Sequence, residues 1–517
     1  MKMKKLPLLI AFGLSSIISS NSFAQDAGTG DRKGPGAWVE NLKCTGVHHE
    51  TGTVVEYKYY VSRGAKVEDN AVYVFLETGG DKDFRDMLDR VTSSQVIPEG
   101  LFLFVSSGSL PATIDGGKNR GMRLEEFDQN DSPFADFLIE DLIPEASSLA
   151  GVGISTNPDM HFISGGSSGG LMAWNALWYR NDYFRRGYLS SPTFSSIRGG
   201  DEFITIIRKT EPRPIRAYVT SGTVEPNYFF GDSFHVAIAA AGSMDFTGID
   251  TKFDVFANGG HGYGFNKPEF WEKMFSWVFA EKEVKVKSHS KRYNTICPEG
   301  SHWEQTAAPV PARMTSVQNR HGRYYIKDGS LWFKPEKGKK LKFDGIGRVT
   351  SVSFSSDLWR LYVTSADRRF IFAYTLGEDG VPGYRYKLVP IHLPHDCTTL
   401  GCEDMAVSDE DRVFVATELG VQTTPSAGTT DLILPLPDDK PAVRVWLSDG
   451  RLFASSADGK VYSRTVNARP HDGKTASRPS SQSYADGLEG YISTHFKELF
   501  ETLPEGTTVE SVKVLAE

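Results

Sequence analysis

The chain has 517 residues, 39% of them apolar and 24% charged, with 57 Lys and Arg against 65 Asp and Glu for a formal net charge of -8. That length exceeds one ordinary domain and implies two or three, and the acidic balance argues against a nucleic-acid or anionic-membrane partner. No stretch is long and apolar enough to span a bilayer, so membrane insertion is not expected, and nothing in the sequence fixes the oligomeric state.

Lys2, Lys4 and Lys5 precede an apolar stretch from Leu6 to about Ile18, and Ser22 and Ala24 flank Phe23. This is the pattern of a cleaved signal peptide over residues 1–24, which predicts a periplasmic or secreted protein. The four cysteines, Cys44, Cys297, Cys397 and Cys402, are then compatible with disulfides: Cys397 with Cys402 clipping one loop, and Cys44 with Cys297 as the remaining pair. No C-x-x-C and no Cys/His array is present, so neither a redox nor a zinc role is predicted.

Residues 25–282 read as an α/β domain. Strands are predicted at 56–61, 72–76, 101–105, 161–164, 215–220 and 252–257, and helices at 84–91, 134–143 and 270–279. Such alternation implies a mainly parallel sheet with helices on both faces, and ligands bind at the carboxyl ends of its strands. Residues 283–306 are mostly polar, with Lys285, Lys287 and Lys291, and read as a solvated linker. From 307 to 517 the texture changes to short strands, predicted at 322–326, 330–333, 351–354, 360–364, 370–374, 412–416, 443–446, 452–455 and 461–464. Turns such as Lys327-Asp328-Gly329 and Asp449-Gly450 separate them, which implies a propeller or sandwich. The similar pieces Gly329-Ser330-Leu331-Trp332, Gly450-Arg451-Leu452-Phe453 and Gly459-Lys460-Val461-Tyr462 favour the propeller.

The densest chemical signal is Gly165-Gly166-Ser167-Ser168-Gly169-Gly170, between the strand at 161–164 and a helical stretch from Leu171. Small residues on both sides of a serine let strand and helix backbones pass closely and hold the hydroxyl out on a strained turn, the nucleophile elbow. Ser167 and Ser168 both satisfy the spacing, and Ser167 is the favoured register because the Ser168 amide then becomes one oxyanion donor. A second donor is expected in the loop at 78–80, around Gly79. Serine needs a base, itself oriented by a carboxylate, in the chain order serine, acid, histidine. His261, framed by Gly259, Gly260 and Gly262, is the candidate base, with His235 the runner-up. Glu225, on the loop after the strand at 215–220, is the candidate acid, and Asp232 is the alternative.

With these residues in place, residues 50–280 resemble the enterochelin-esterase-like α/β-hydrolases, a group related to feruloyl and other carbohydrate esterases, to esterase D and to mycolyltransferases. The likeness runs through Asn119-Arg120, Glu126-Phe127-Asp128, the stretch 137–144, the elbow, 191–200, Ser221-Gly222-Thr223, Gly231-Asp232-Ser233 and Gly259-Gly260-His261. It implies a serine esterase that works through an acyl-enzyme without a metal or other cofactor, with Ser167 as nucleophile, Glu225 as acid and His261 as base. One departure is a glutamate where relatives show aspartate. Residues 310–470 resemble gluconolactonase/regucalcin-like propellers through 349–357 leading to Leu361-Tyr362-Val363, and through 403–407 leading to 413–422. The metal-binding asparagine and aspartate of those enzymes fall here at Thr350 and Glu403, which lose an amide oxygen and lengthen a carboxylate. A hard-cation site is weakened by both changes. The stretch is also short for six blades, so a metal-free binding or packing module is expected.

The resulting expectation is a serine esterase acting on a small-molecule or carbohydrate ester, with a siderophore ester as a second substrate class. Three rivals stay open: an acyltransferase with the same nucleophile, a metal-dependent lactonase in the C-terminal domain, and a non-catalytic binding protein.

Overall fold

The computed structural model describes residues 33–262, 267–425 and 428–477. The expected signal peptide and residues 478–517 of the expected propeller domain lie outside the described residues.

In the first domain, β1 (Trp38–Cys44), β2 (Val54–Val61), β3 (Ala71–Leu76), β4 (Gly100–Leu110), β5 (His161–Gly166), β6 (Arg186–Ser190), β7 (Arg216–Val224) and β8 (Asp250–Gly260) lie in the order β1-β2-β4-β3-β5-β6-β7-β8. The first three in that order pair antiparallel, and every pair from β4 onward is parallel. The principal helices are α1 (Lys82–Ser93), α2 (Ser168–Tyr179), α3 (Ser233–Thr247) and α4 (Pro268–Val278). Period-two alternation along the strands sorts the faces by side-chain type. Val72, Val74, Leu76, Leu101, Leu103 and Ile163 share a core with Leu171, Trp174 and Leu177 of α2. Tyr73, Phe75, Phe102, Phe104 and Phe162 form the other core with Met87 and Leu88 of α1 and Trp271 and Phe275 of α4. Burial of both faces is why the inner strands read as unbroken apolar runs. This is the mainly parallel, doubly covered α/β-hydrolase arrangement.

The helix expected at 134–143 begins as one at Pro133–Phe137, widens into a π-helical turn at Leu138–Leu142 and continues as an α-helix over Ile143–Ala150. Pro144 has no N–H to return to the preceding turn, and the wider turn accommodates that loss.

Among the described residues, the second domain has four antiparallel four-stranded sheets. Three take their strands in sequence: 316–343, 349–390 and 404–434. The fourth is built from Ala442–Ser448, Arg451–Ser456 and Val461–Thr465, with Glu304–Thr306 as its outermost strand. That pairing joins the beginning of the domain to its last blade, so the described residues form a propeller-like arrangement of four blades. The strand at Glu304–Thr306 and a helix at Lys291–Ile296 both fall in the segment read as a linker. Tyr293 and Ile296 of the helix are buried in the core of the last two blades, so the helix is a packed part of the second domain, while the Val284 and Lys287 N–H groups donate back to Asp159 and Gly248 of the first.

The expected disulfides are not formed; all four cysteines are free thiols. Cys44 belongs to the core of the first domain and Cys297 to the core of the last two blades, so that pair is divided between two hydrophobic cores. Cys402 is buried in the core between the middle blades. Cys397 lies on a partly exposed loop whose next residues, Thr398 and Thr399, are tied to Glu418 through their amides at 2.9–3.0 Å.

Candidate active site

Five parallel strands deliver their carboxyl ends to one place. Ser167 follows β5 and caps α2 with φ 56° and ψ -125°, a strained left-handed conformation for a residue with a side chain. The turn is tight enough that a Cβ on Gly165 would lie 2.2 Å from the Gly169 carbonyl oxygen. Glu77 after β3, Ser191 after β6 and Asn258 near the end of β8 also have positive φ, at 54°, 44° and 58°. Backbone strain of this kind persists only where surrounding structure enforces it. Here it collects at one end of the sheet.

Glu225 follows β7, and its side chain is fully buried. Its Oε2 accepts a hydrogen bond from His261 Nδ1 at 2.5 Å. Its Oε1 accepts from the Ser191 hydroxyl at 2.5 Å and from the Gly222 N–H at 3.2 Å. Burial by itself would raise the Glu225 carboxyl, but the hydrogen bonds from His261 and Ser191, with that of Gly222, outweigh it and hold the group below the usual carboxylate value. The Ser191 Oγ also accepts the Gly262 N–H at 3.1 Å, so a single hydroxyl fastens both the acid and the histidine loop. The two loops are closely apposed: a Cβ on Gly222 would lie 2.0 Å from the Gly259 carbonyl oxygen.

Ser167, Ser168, Thr193 and His261 line a cavity of about 440 Å³ with Arg123, Asp128, Leu124, Ile197 and the segment Tyr228–Phe230. The Ser167 Oγ lies 3.4 Å from Thr193 Oγ1. Ser168, the first residue of α2, is buried, and its hydroxyl accepts a hydrogen bond from Arg123 Nη1 at 2.6 Å. Arg123 Nε in turn pairs with Glu77 at 2.7 Å. Asp128 is buried with neither carboxylate oxygen in a well-formed hydrogen bond. Burial pushes its carboxyl up, against the Ser168 hydroxyl and the charges of Arg123 and Arg198.

Sequence reading therefore brings Ser167, Ser168, Glu225 and His261 to one site. Asp232 belongs to the rim of this site but its side chain is turned to α3, which it caps by accepting from His235 N–H at 3.0 Å, and it pairs with the His235 ring at 2.9 Å. Gly79 packs against Phe84 and Phe104 and is not among the residues lining the cavity. The residues missed are Ser191, Arg123, Asp128, Thr193 and an aromatic lip. In the lip, a two-residue hairpin pairs Asn227–Tyr228 with Gly231–Asp232, leaving Phe229 fully exposed and Tyr228 stacked on Phe230 with centroids 4.7 Å apart. The run Tyr228-Phe229-Phe230-Gly231 was its signal in the sequence.

In the propeller, Thr350 Oγ1 donates to the Cys402 carbonyl oxygen at 2.7 Å. Glu403 faces Arg348 and Arg313 at 3.6 and 3.9 Å. Among the described residues no three His, Cys, Asp or Glu side chains gather as a metal-ligand set. No described helix is long and apolar enough to cross a membrane.

No protein-family model matches the chain, and no curated protein matches it. Solved structures similar to it include an enterochelin esterase from Shigella flexneri, with 14% identity and a TM-score of 0.37 over 48% of this chain and 60% of that one. A ferulic acid esterase has 17% identity and a TM-score of 0.32 over 43% of this chain and 92% of that one. The feruloyl esterase module from Clostridium thermocellum has 13% identity and a TM-score of 0.34 over 52% of this chain and 97% of that one. The chain thus spans about three fifths of the enterochelin esterase it matches, and these three structures are of esterases.

Proposed function

We propose that the first domain is a serine hydrolase of carboxylic esters, with Ser167, His261 and Glu225 as its triad. The observation that carries this reading is the buried Glu225 carboxylate holding His261 Nδ1 at 2.5 Å across a shared cavity from a serine on a strained strand-to-helix turn. The carboxylate fixes the proton on Nδ1, leaving Nε2 as the base. Ser167 Oγ attacks the ester carbonyl as His261 Nε2 takes its proton; the imidazolium then protonates the departing alcohol, and water repeats the sequence on the acyl-enzyme. Ser168 N–H, at the first turn of α2, has no carbonyl partner within the helix and is one oxyanion donor, helped by the positive end of the helix. The aromatic lip and Leu124 favour a substrate with a flat apolar group beside the ester, attached to a small-molecule or carbohydrate alcohol.

The test is hydrolysis of short-chain nitrophenyl and feruloyl esters by wild type, Ser167→Ala and Ser168→Ala, with and without chelator, with sugar acceptors added to a parallel set. Loss of activity in Ser167→Ala alone, insensitive to chelator and without acyl-sugar products, is the expected result. Activity that survives in Ser167→Ala and disappears with chelator would move the chemistry to the second domain.

A further inference from the structure

A second cavity, of about 600 Å³, opens where the second blade meets the first domain. Arg368 and Arg369 reach it from the turn between strands Arg360–Ser365 and Phe370–Leu376, and Arg385 and Lys387 from the blade's outermost strand, Pro382–Pro390. The outer strand sets its cations over aromatic rings of its neighbour: Lys387 Nζ is 4.4 Å from the centre of Phe370, and the Arg385 guanidinium is 5.3 Å from Phe372. A ring face steadies a cation but supplies neither a counter-charge nor a strong hydrogen-bond acceptor.

Carboxylates outnumber cations in this chain, 65 to 57. Even so, among the described residues none of these four cations has a carboxylate within 4 Å. Arg369 Nε and Arg385 Nη1 donate to the backbone oxygens of Ile391 and Asp344, at 3.0 and 3.1 Å. Two acidic residues also line the cavity, and one of them, Asp367, lies within the field of Arg368 though beyond ion-pair distance. Asp367 accepts from the Ser365 hydroxyl at 2.6 Å and the Arg348 N–H at 2.9 Å, while Glu202 faces His395 at 3.8 Å. Four like charges around one cavity repel one another, and an anion placed among them relieves that repulsion. The net charge of -8 on the whole chain opposes a long polyanion, so the fit is to a short one.

We propose that this cleft binds a short oligoanion, a ligand carrying two or more carboxylate or phosphate groups. The inference goes beyond the esterase reading and does not depend on it. The cleft is nevertheless placed to serve that reading: Ser196 and Ile197 line the catalytic cavity, and Glu202, later in the same segment, lines the cleft.

Calorimetric titration of the intact protein with trigalacturonate and, separately, with inorganic triphosphate tests it. Arg385 and Lys387 are exposed, so the double variant Arg385→Gln/Lys387→Gln should melt as wild type does. A Lys339→Gln/Lys340→Gln variant, also changed at exposed positions, controls for loss of charge elsewhere. The expected result is binding of at least one probe that weakens about ten-fold or more in the cleft variant, not in the control, and weakens as salt is raised. Trigalacturonate binding identifies carboxylates as ligand groups, and triphosphate binding alone identifies phosphates. Binding that is equal in the cleft variant and wild type, or no binding of either probe at low salt, overturns the proposal. Because neither probe is an ester, failure of the Ser167 reading leaves this result unchanged.

Discussion

Glu225 shows how a single residue changes its chemistry with its neighbours. Donors from His261, Ser191, Gly222 and, at 3.5 Å, Ser221 converge on a carboxylate that has no exposed surface, and its depressed pKa means that those interactions contribute stability while it is ionised. The contribution is complete above the unfolded value of about 4.3 and is lost as pH falls through the lower folded value. Ser191→Ala removes one of the donors. It should lower kcat/KM about 10- to 100-fold, and the acid-induced loss of activity should begin at a higher pH than in wild type; a pH–rate profile that keeps the wild-type acid limb would count against a positioning role. Glu225→Gln should cost about 10³–10⁴ in kcat, the scale seen when the orienting carboxylate of a serine triad is replaced by an amide. The glutamate reaches His261 with one carboxylate oxygen while the other accepts the amide of Gly222 three residues back. The sequence order and the glycine frames made Ser167, Glu225 and His261 legible. Ser191 was not, because a serine that joins two loops through one hydroxyl has no local pattern.

Among the elements, strands that read as unbroken apolar runs were legible, and those interrupted by a bulge or a buried charge were not. β3, β4 and β5 bury both faces and declare themselves as apolar runs. β1 does not, because a register shift between Val39 and Leu42, with Asn41 at φ 58°, breaks its alternation. β6 hides behind Arg186, a fully buried arginine that donates to the carbonyl oxygens of Asp159, Val278, Glu281 and Lys282. Two of the missed propeller strands, Leu341–Phe343 and Leu432–Leu434, have three residues each, too few to show a period. The aromatic lip is the element on which a substrate prediction belongs. Tyr228→Ala/Phe229→Ala should raise KM for feruloyl esters about 5- to 20-fold with little change in kcat, because it removes binding common to ground and transition states. An equal loss for acetyl and feruloyl esters would place the lip outside the substrate's reach.

At the scale of the whole molecule, the two domains are locked together by charge and backbone. Arg464 of the last blade is fully buried and donates to Glu211 of the first domain at 2.8 and 2.9 Å and to the Tyr293 hydroxyl at 2.7 Å. Beside it, the Glu211 N–H donates to the Ile433 carbonyl oxygen at 3.0 Å, and Arg213 pairs with Asp439 at 2.7 Å. Arg464→Met leaves Glu211 without its cation and should destabilise the protein by about 3–5 kcal/mol, read by urea unfolding. Replacing Glu211 as well should recover most of that loss. Asp131 pulls the other way: burial first, then the nearby Asp396, raises its carboxyl to about 6. The unfolded chain releases this proton near pH 4 and the folded one near 6, so stability falls as pH rises between those values and stays lower above them. Asp131→Asn should therefore raise the melting temperature at pH 7.5, by the equivalent of about 1–3 kcal/mol, and have little effect at pH 4. The closure of the propeller has a consequence for how the protein is made. Glu304 pairs with Ser463, so the strand that completes the ring leaves the ribosome before any blade and waits through about 160 further residues, on the order of ten seconds or more of synthesis. During that interval the first domain has its whole sequence and can finish folding. The nascent propeller has an unsatisfied edge at either end, and a chain released early would carry both edges into solution as sites for aggregation.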